Sequence, residues 1–283
     1  MFFTLYTVSL YKNPLSILSN ISLIKVGAHT HNFIAVEAKE ATCTVAGNNK
    51  YYTCDCGKFF SAENENSEIE ENSWVIEPLG HEYESVLVKA STKQDGYTAD
   101  KCIRCDDITN KNVIKAIKGA TLAYTNITYN CVANKPAVTV KDTDGNVISA
   151  DNYSVTYSDN KNIGTATVTI KFKGNYTGTI VKHFDIVPLE TIALYAKSQG
   201  SGFKLYWLMQ PINTTGYEIA YTRDKNFKTG ITTTTVKKST SVSTTINKLS
   251  KNTKYYVRIR TYKTVNGKNY YSPYTNTVCV TTK

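Results

Sequence analysis

Between residues 117 and 283 apolar and polar side chains alternate, and a period of two commits a chain to strands with one buried face. Ala137-Val-Thr-Val-Lys141 leads through Asp142-Thr-Asp-Gly145-Asn146 to Val147-Ile148, a hairpin about a tight Asp-Gly turn. The acidic turn lacks the remaining ligands and distal Glu of a calcium loop. Tyr153–Tyr157, Gly164–Phe172 and Thr179–Val187 then read as strands separated by turns at 158–161 and 174–178. Strands at this spacing, with no helical period, make residues 117–187 a β-sandwich. The 21 tyrosines of the chain and the threonines of its last third fit that reading.

A second feature is a repeat in the first hundred residues. His31-Asn-Phe, Ala41-Thr-Cys43, Gly47 and Cys54-Asp-Cys56-Gly57 match His81-Glu-Tyr, Ala90-Ser-Thr92, Gly96 and Cys102-Ile-Arg-Cys105. The glycine follows Cys43 or Thr92 by four residues in both copies, and Cys56 or Cys105 follows the glycine by nine. We expect one Cys/His β-repeat over 27–60 and another over 79–116, joined by an acidic linker over 61–78 that holds six glutamates and no basic residue, a run that reads as solvated linker or exposed strand.

Imidazole and thiolate are the usual zinc ligands, and a closed tetrahedral site can hold together a module too small for its own core. The metal candidates are His31, Cys43, Cys54 and Cys56 in copy one and His81, Cys102 and Cys105 in copy two, where Thr92 replaces the fourth. A disulfide from Cys43 to Cys54 or Cys56, and plain reduced thiols, fit the same spacings. Cys131 and Cys279 stand alone in strand-like text and read as buried small hydrophobes. His183, in an alternating strand, reads as a surface residue.

The net charge of +10 is uneven: residues 188–283 carry 15 basic and 3 acidic residues, +12, and the rest carries −2. A basic field suits polyanions. The lysines are scattered singly, without arginine clusters or aromatic-glycine motifs, so no nucleic acid is expected and lysines on solvent faces account for the charge. Residues 1–26 are apolar but lack a positive start and a small-residue cleavage site, so they read as a poor leader or a start-site artefact. No later stretch approaches the length of a transmembrane helix.

Tyr129-Asn130, Lys135-Pro136, Val138–Asp142, Asn152–Tyr157 and Gly164–Gly178 together resemble an immunoglobulin-like repeat of surface proteins from Gram-positive gut anaerobes. That family usually has Gly where this chain has Cys131. Residues 188–283 resemble a fibronectin type III domain: Lys204-Leu-Tyr-Trp207 matches its second strand with a core tryptophan, and Gly216–Tyr221 its third. The run Leu249–Tyr255 matches its tyrosine corner, with Tyr255 the corner residue, and Asn266-Gly267 marks a hairpin. The amino-terminal repeats resemble small Cys/His modules found beside such domains.

The expected fold is all-β: tandem small β-modules, then an Ig-like sandwich (117–187) and a fibronectin type III sandwich (188–283). Tyr256, Arg258, Arg260 and Tyr262 alternate outward and form the candidate binding face, against the alternative that such pairs simply stabilise an exposed sheet. Phosphate loop, nucleophile elbow and His-Glu-x-x-His motifs are missing, so we expect no enzyme. The expectation is a monomeric, extracellular or cell-surface spacer or adhesion protein whose partner is a cell-wall polymer, host glycan or matrix protein. Alternatives are the accessory tail of a secreted enzyme and a zinc-binding interaction module in residues 30–106.

Overall fold

The computed structural model describes residues 30–283, so the reading of residues 1–26 lies outside the described part. The chain divides into two compact units, Met1–His81 and Glu82–Lys283. The described residues are nearly all-β, with single-turn 3-10 segments at Glu65–Ser67 and Ala150–Asn152. Among them no helix is long and apolar enough to cross a membrane.

In the first unit Ile34–Val36, Tyr51–Thr53, Phe59–Phe60 and Glu68–Ile69 form an antiparallel sheet in that order, and Gly47–Asn48 pairs with Val75–Ile76. The acidic stretch 61–78 is therefore not a linker. Two of its segments pair with strands of the first repeat, and Trp74 stacks on Tyr51 at 4.1 Å. Glu68 sits in one of these strands with its side chain half-exposed and paired to Lys58, a solvent-facing strand position that charge alone does not distinguish from a linker. The interior is thin: among the described residues of this unit, the buried apolar side chains are Cys43, Cys54 and Phe60. These three side chains contribute little hydrophobic stabilisation.

The second unit opens with a three-stranded meander, Tyr83–Val88, Gly96–Cys102 and Ile108–Ile114. Each repeat turns in the same way. Thr42 N–H bonds Val45 O and Ser91 N–H bonds Gln94 O, while the Thr42 and Ser91 hydroxyls cap the following N–H groups. Gly47 and Gly96 both lie against crossing backbone. A Cβ on Gly47 would sit 2.3 Å from Lys39 O, and one on Gly96 2.2 Å from Val88 O, which only glycine permits.

Next, Ile117–Leu122 pairs with Val138–Asp142, and this pair faces a four-stranded sheet ordered Asn126–Thr128, Thr179–Val187, Gly164–Phe172, Tyr153–Ser158. The alternation in Gly164–Phe172 sends Ala166, Val168, Ile170 and Phe172 into a core shared with Val140, Phe184 and Ile186. Cys131 is exposed rather than buried, and its φ of +67° lies in the left-handed region. In that region a glycine carries no Cβ penalty, whereas the cysteine does.

The last sandwich sets Ala193–Gln199, Gly202–Trp207 and Ser243–Ile246 against a sheet of Thr232–Val236, Gly216–Thr222, Lys254–Val265, Lys268–Tyr271 and Val278–Thr281. Phe203, Leu205, Trp207, Tyr217, Ile219, Val257 and Ile259 fill the space between, each burial giving about 1.5–3 kcal/mol. The tryptophan strand ends at Trp207; Leu208 and Met209 are exposed. The Tyr255 ring is buried and its hydroxyl is hydrogen-bonded with Ser250 upstream, the corner arrangement. Cys279, read as buried, is exposed, because the inward positions of Val278–Thr281 fall to Val280 instead.

Candidate metal centre

Within the first unit the register Ile34↔Thr53, carried outward along the two strands, sets His31 against Cys56. Cys54, Asp55, Cys56 and Gly57 form the turn between Tyr51–Thr53 and Phe59–Phe60, closed by Gly57 N–H to Cys54 O at 2.9 Å and Cys54 N–H to Lys58 O at 3.1 Å. Gly57 takes φ +81°, which lets the chain double back after only one residue between the thiols. The result is convergent: His31 Nδ1 lies 3.2 Å from Cys54 Sγ and 3.3 Å from Cys56 Sγ. The imidazole is held edge-on by Phe60, centroids 4.9 Å apart, and Phe60 is itself fully buried.

The Cys54 sulfur accepts the Cys56 N–H at 3.4 Å and an N–H from Asn32. Burial raises the Cys54 thiol above the ordinary value, and side-chain bonds with Cys56 and Asp55 add to this while the two N–H groups oppose it. Cys54 Sγ donates to Asp55 Oδ1 at 3.0 Å.

Cys43 is not part of this group. The turn that carries it bonds onward instead, with Leu79 N–H to Thr42 O at 2.9 Å and Gly80 N–H to Cys43 O at 3.1 Å. Its sulfur thus lies within 4.8 Å of a His81 ring nitrogen. Spacing along the chain put Cys43 with its own repeat; the direction of the turn puts it beside the histidine that starts the next. Thr92 in place of Cys43 therefore takes no ligand from the His-Cys-Cys complement that the two repeats share.

In the second unit Cys102 and Cys105 bring their sulfurs within 4.8 Å of one another. Cys102 is buried and accepts the Arg104 N–H on its sulfur at 3.4 Å, as Cys54 does from Cys56. Cys102 N–H to Asp107 O closes the loop, and Tyr83 donates its hydroxyl to Asp107 at 2.6 Å, a bond that pushes the phenol up to about 12. None of the seven cysteines is in a disulfide. His183 is exposed, its ring beside Thr167.

The candidate binding face of the last sandwich is built differently from its sequence reading. Tyr262 is buried, and Tyr256, Arg258 and Arg260 are half-buried. The guanidinium of Arg258 lies between Phe227 and Tyr274, at 4.1 and 4.0 Å, and that of Arg260 between Tyr271 and Tyr274, at 4.0 and 4.3 Å. Glu218 neutralises Arg260 at 2.7 Å and accepts the Tyr274 hydroxyl at 2.7 Å. Burial first, then that bond, pushes Tyr274 up to about 12. These cation–π contacts cover ring faces of Phe227, Tyr271 and Tyr274 beside the candidate residues. Alternation identified Tyr256, Arg258 and Arg260 as outward but failed at Tyr262, which packs beside Tyr271 with ring centroids 5.9 Å apart, and Phe227 and Tyr274 come from loops that no period marks.

Residues 188–278 match the family model of the fibronectin type III domain. The region carries a modular sandwich of that kind. Among solved structures, the crystal structure of chicken CNTN1 FN1-FN3 domains is similar at 15% identity over 87% of this chain and 98% of that one, with a TM-score of 0.31. A likeness of that size fixes nothing about how this chain is arranged. No curated protein matches the chain.

Proposed function

We propose that this is a non-catalytic, extracellular or cell-surface modular protein that acts as a spacer and adhesion module. The supporting observation is how successive modules of residues 82–283 are stitched together. Ala90 N–H bonds Asn175 O at 3.0 Å and Thr177 N–H bonds Ala90 O at 2.9 Å, a parallel bridge from the Cys/His meander to the Ig-like sandwich. Tyr270 of the last sandwich is buried in the Ig-like core. Such joints hold neighbouring modules in fixed orientation, which a spacer needs and a loose string of domains lacks. The fibronectin type III match supports the modular reading, since such domains are typically non-catalytic and commonly extracellular.

The partner in this reading is a cell-wall polymer, host glycan or matrix protein, drawn to the basic surface of residues 188–283. The test compares the full chain with a deletion of residues 188–283 for retention on purified cell wall, mucin and matrix protein. Loss of retention on one surface supports adhesion; undiminished retention on all of them overturns it.

A further inference from the structure

We propose that His31, Cys54 and Cys56 bind one zinc ion through Nδ1 and the two thiolate sulfurs, and that Cys43 is not a ligand of this ion. An imidazole with two thiolates is a borderline-soft donor set that suits zinc and disfavours calcium or magnesium. With Zn–S near 2.3 Å and Zn–N near 2.0–2.1 Å, tetrahedral ligands stand about 3.5 Å apart. The observed separations of 3.2 and 3.3 Å need only a few tenths of an ångström of adjustment.

Hydrogen bonding alone accounts poorly for this trio. A ring nitrogen has one in-plane lone pair or one hydrogen, yet both sulfurs crowd the same Nδ1. A cation on that lone pair satisfies all three atoms at once. The backbone N–H groups of Asn32 and Cys56 already point at the Cys54 sulfur, and such donors stabilise a thiolate and orient it toward a metal. Zinc binding displaces the thiol protons to solvent, and no redox step is involved. Asp55, whose carboxylate lies 3.0 Å from the Cys54 sulfur, offers a further oxygen donor beside the trio.

The ion would add cohesion to a unit in which three apolar side chains are buried among the described residues. The second repeat carries the same residue types in the sequence, His81, Cys102 and Cys105.

The full chain, purified under reducing conditions and loaded with cadmium-113, provides the direct test. We expect a cadmium resonance that correlates with the β protons of Cys54 and Cys56 and with the His31 ring, and that persists in Cys43→Ser. Zinc content should fall by one equivalent per chain in Cys54→Ser/Cys56→Ser. A resonance coupled to Cys43 together with Cys54 overturns the assignment. So does the absence of any resonance coupled to Cys54 in the unsubstituted protein, or recovery of Cys54 and Cys56 as a disulfide with metal present. These readings are made on the unsubstituted protein, so they stand whether or not the variants fold.

Discussion

The phenol oxygen of Tyr270 lies 3.0 Å from the hydroxyl of Thr165, so a hairpin of the last sandwich ends in the core of the one before it. Lys268 in the same hairpin donates to Thr165 at 3.1 Å and stands 3.8 Å from the Asp185 carboxylate. Removing the ring should uncouple the two sandwiches. Tyr270→Ala is expected to cost about 3–5 kcal/mol and to split a shared calorimetric transition into two. Tyr270→Phe, which loses only the hydroxyl contact, should cost about 0.5–1.5 kcal/mol and keep the transition single.

Cys131 holds a left-handed backbone with an L side chain, which costs roughly 1–2 kcal/mol relative to glycine, less glycine's extra unfolded-state entropy of about 0.5–1 kcal/mol. Cys131→Gly is therefore expected to stabilise the chain by about 0.5–1 kcal/mol in urea unfolding. Any loss of stability contradicts this account of the position.

Gly96→Ala places a methyl 2.2 Å from Val88 O and 2.4 Å from Ala90 N, where backbone and not a movable side chain must yield. A loss of about 3 kcal/mol or more is expected. Gly145→Ala meets nothing within 4 Å and carries only the penalty of its φ of +91°. It should cost about 1 kcal/mol, so the two variants separate close approach from backbone strain.

Tyr274 is held neutral by burial and by its bond to Glu218, so its folded value of about 12 exceeds the usual 10.0. Its contribution to stability is complete below pH 10 and is lost as pH rises through 12. Chemical unfolding followed from pH 9 to 12 should show this decline in the parent chain and a shallower one in Tyr274→Phe. Equal slopes would mean that the phenol is not protected as described.

Thiol accessibility gives a further check. Cys131 and Cys279 are exposed and should alkylate quickly under native conditions, while Cys102, 2% exposed, should not. Cys56 is exposed too, but an ion at His31 would protect it until a chelator is added.

Much of the fold was legible because strands write their burial into alternate residues. Gly164–Phe172 and Thr179–Val187 have the bounds their pattern implies, and the family match covers the region where Trp207 and Tyr255 pointed to a fibronectin type III sandwich. For the acidic stretch 61–78 the choice between linker and exposed strand was not legible, since two-residue strands are too short to show a period. Cys131 and Cys279 misled because a small apolar residue in strand-like text carries no mark of which way it faces.

By itself the sequence determined the β character, the turns and the existence of a repeated Cys/His unit, all of which depend on residues a few positions apart. Tertiary structure alone decided which thiols meet which imidazole, and that both faces of Arg258 and Arg260 are already covered. Those outcomes depend on hairpin register and loop direction, which bring groups 25 residues apart in the chain, such as His31 and Cys56, to the same end of a strand pair. Spacing along the chain leaves that choice open.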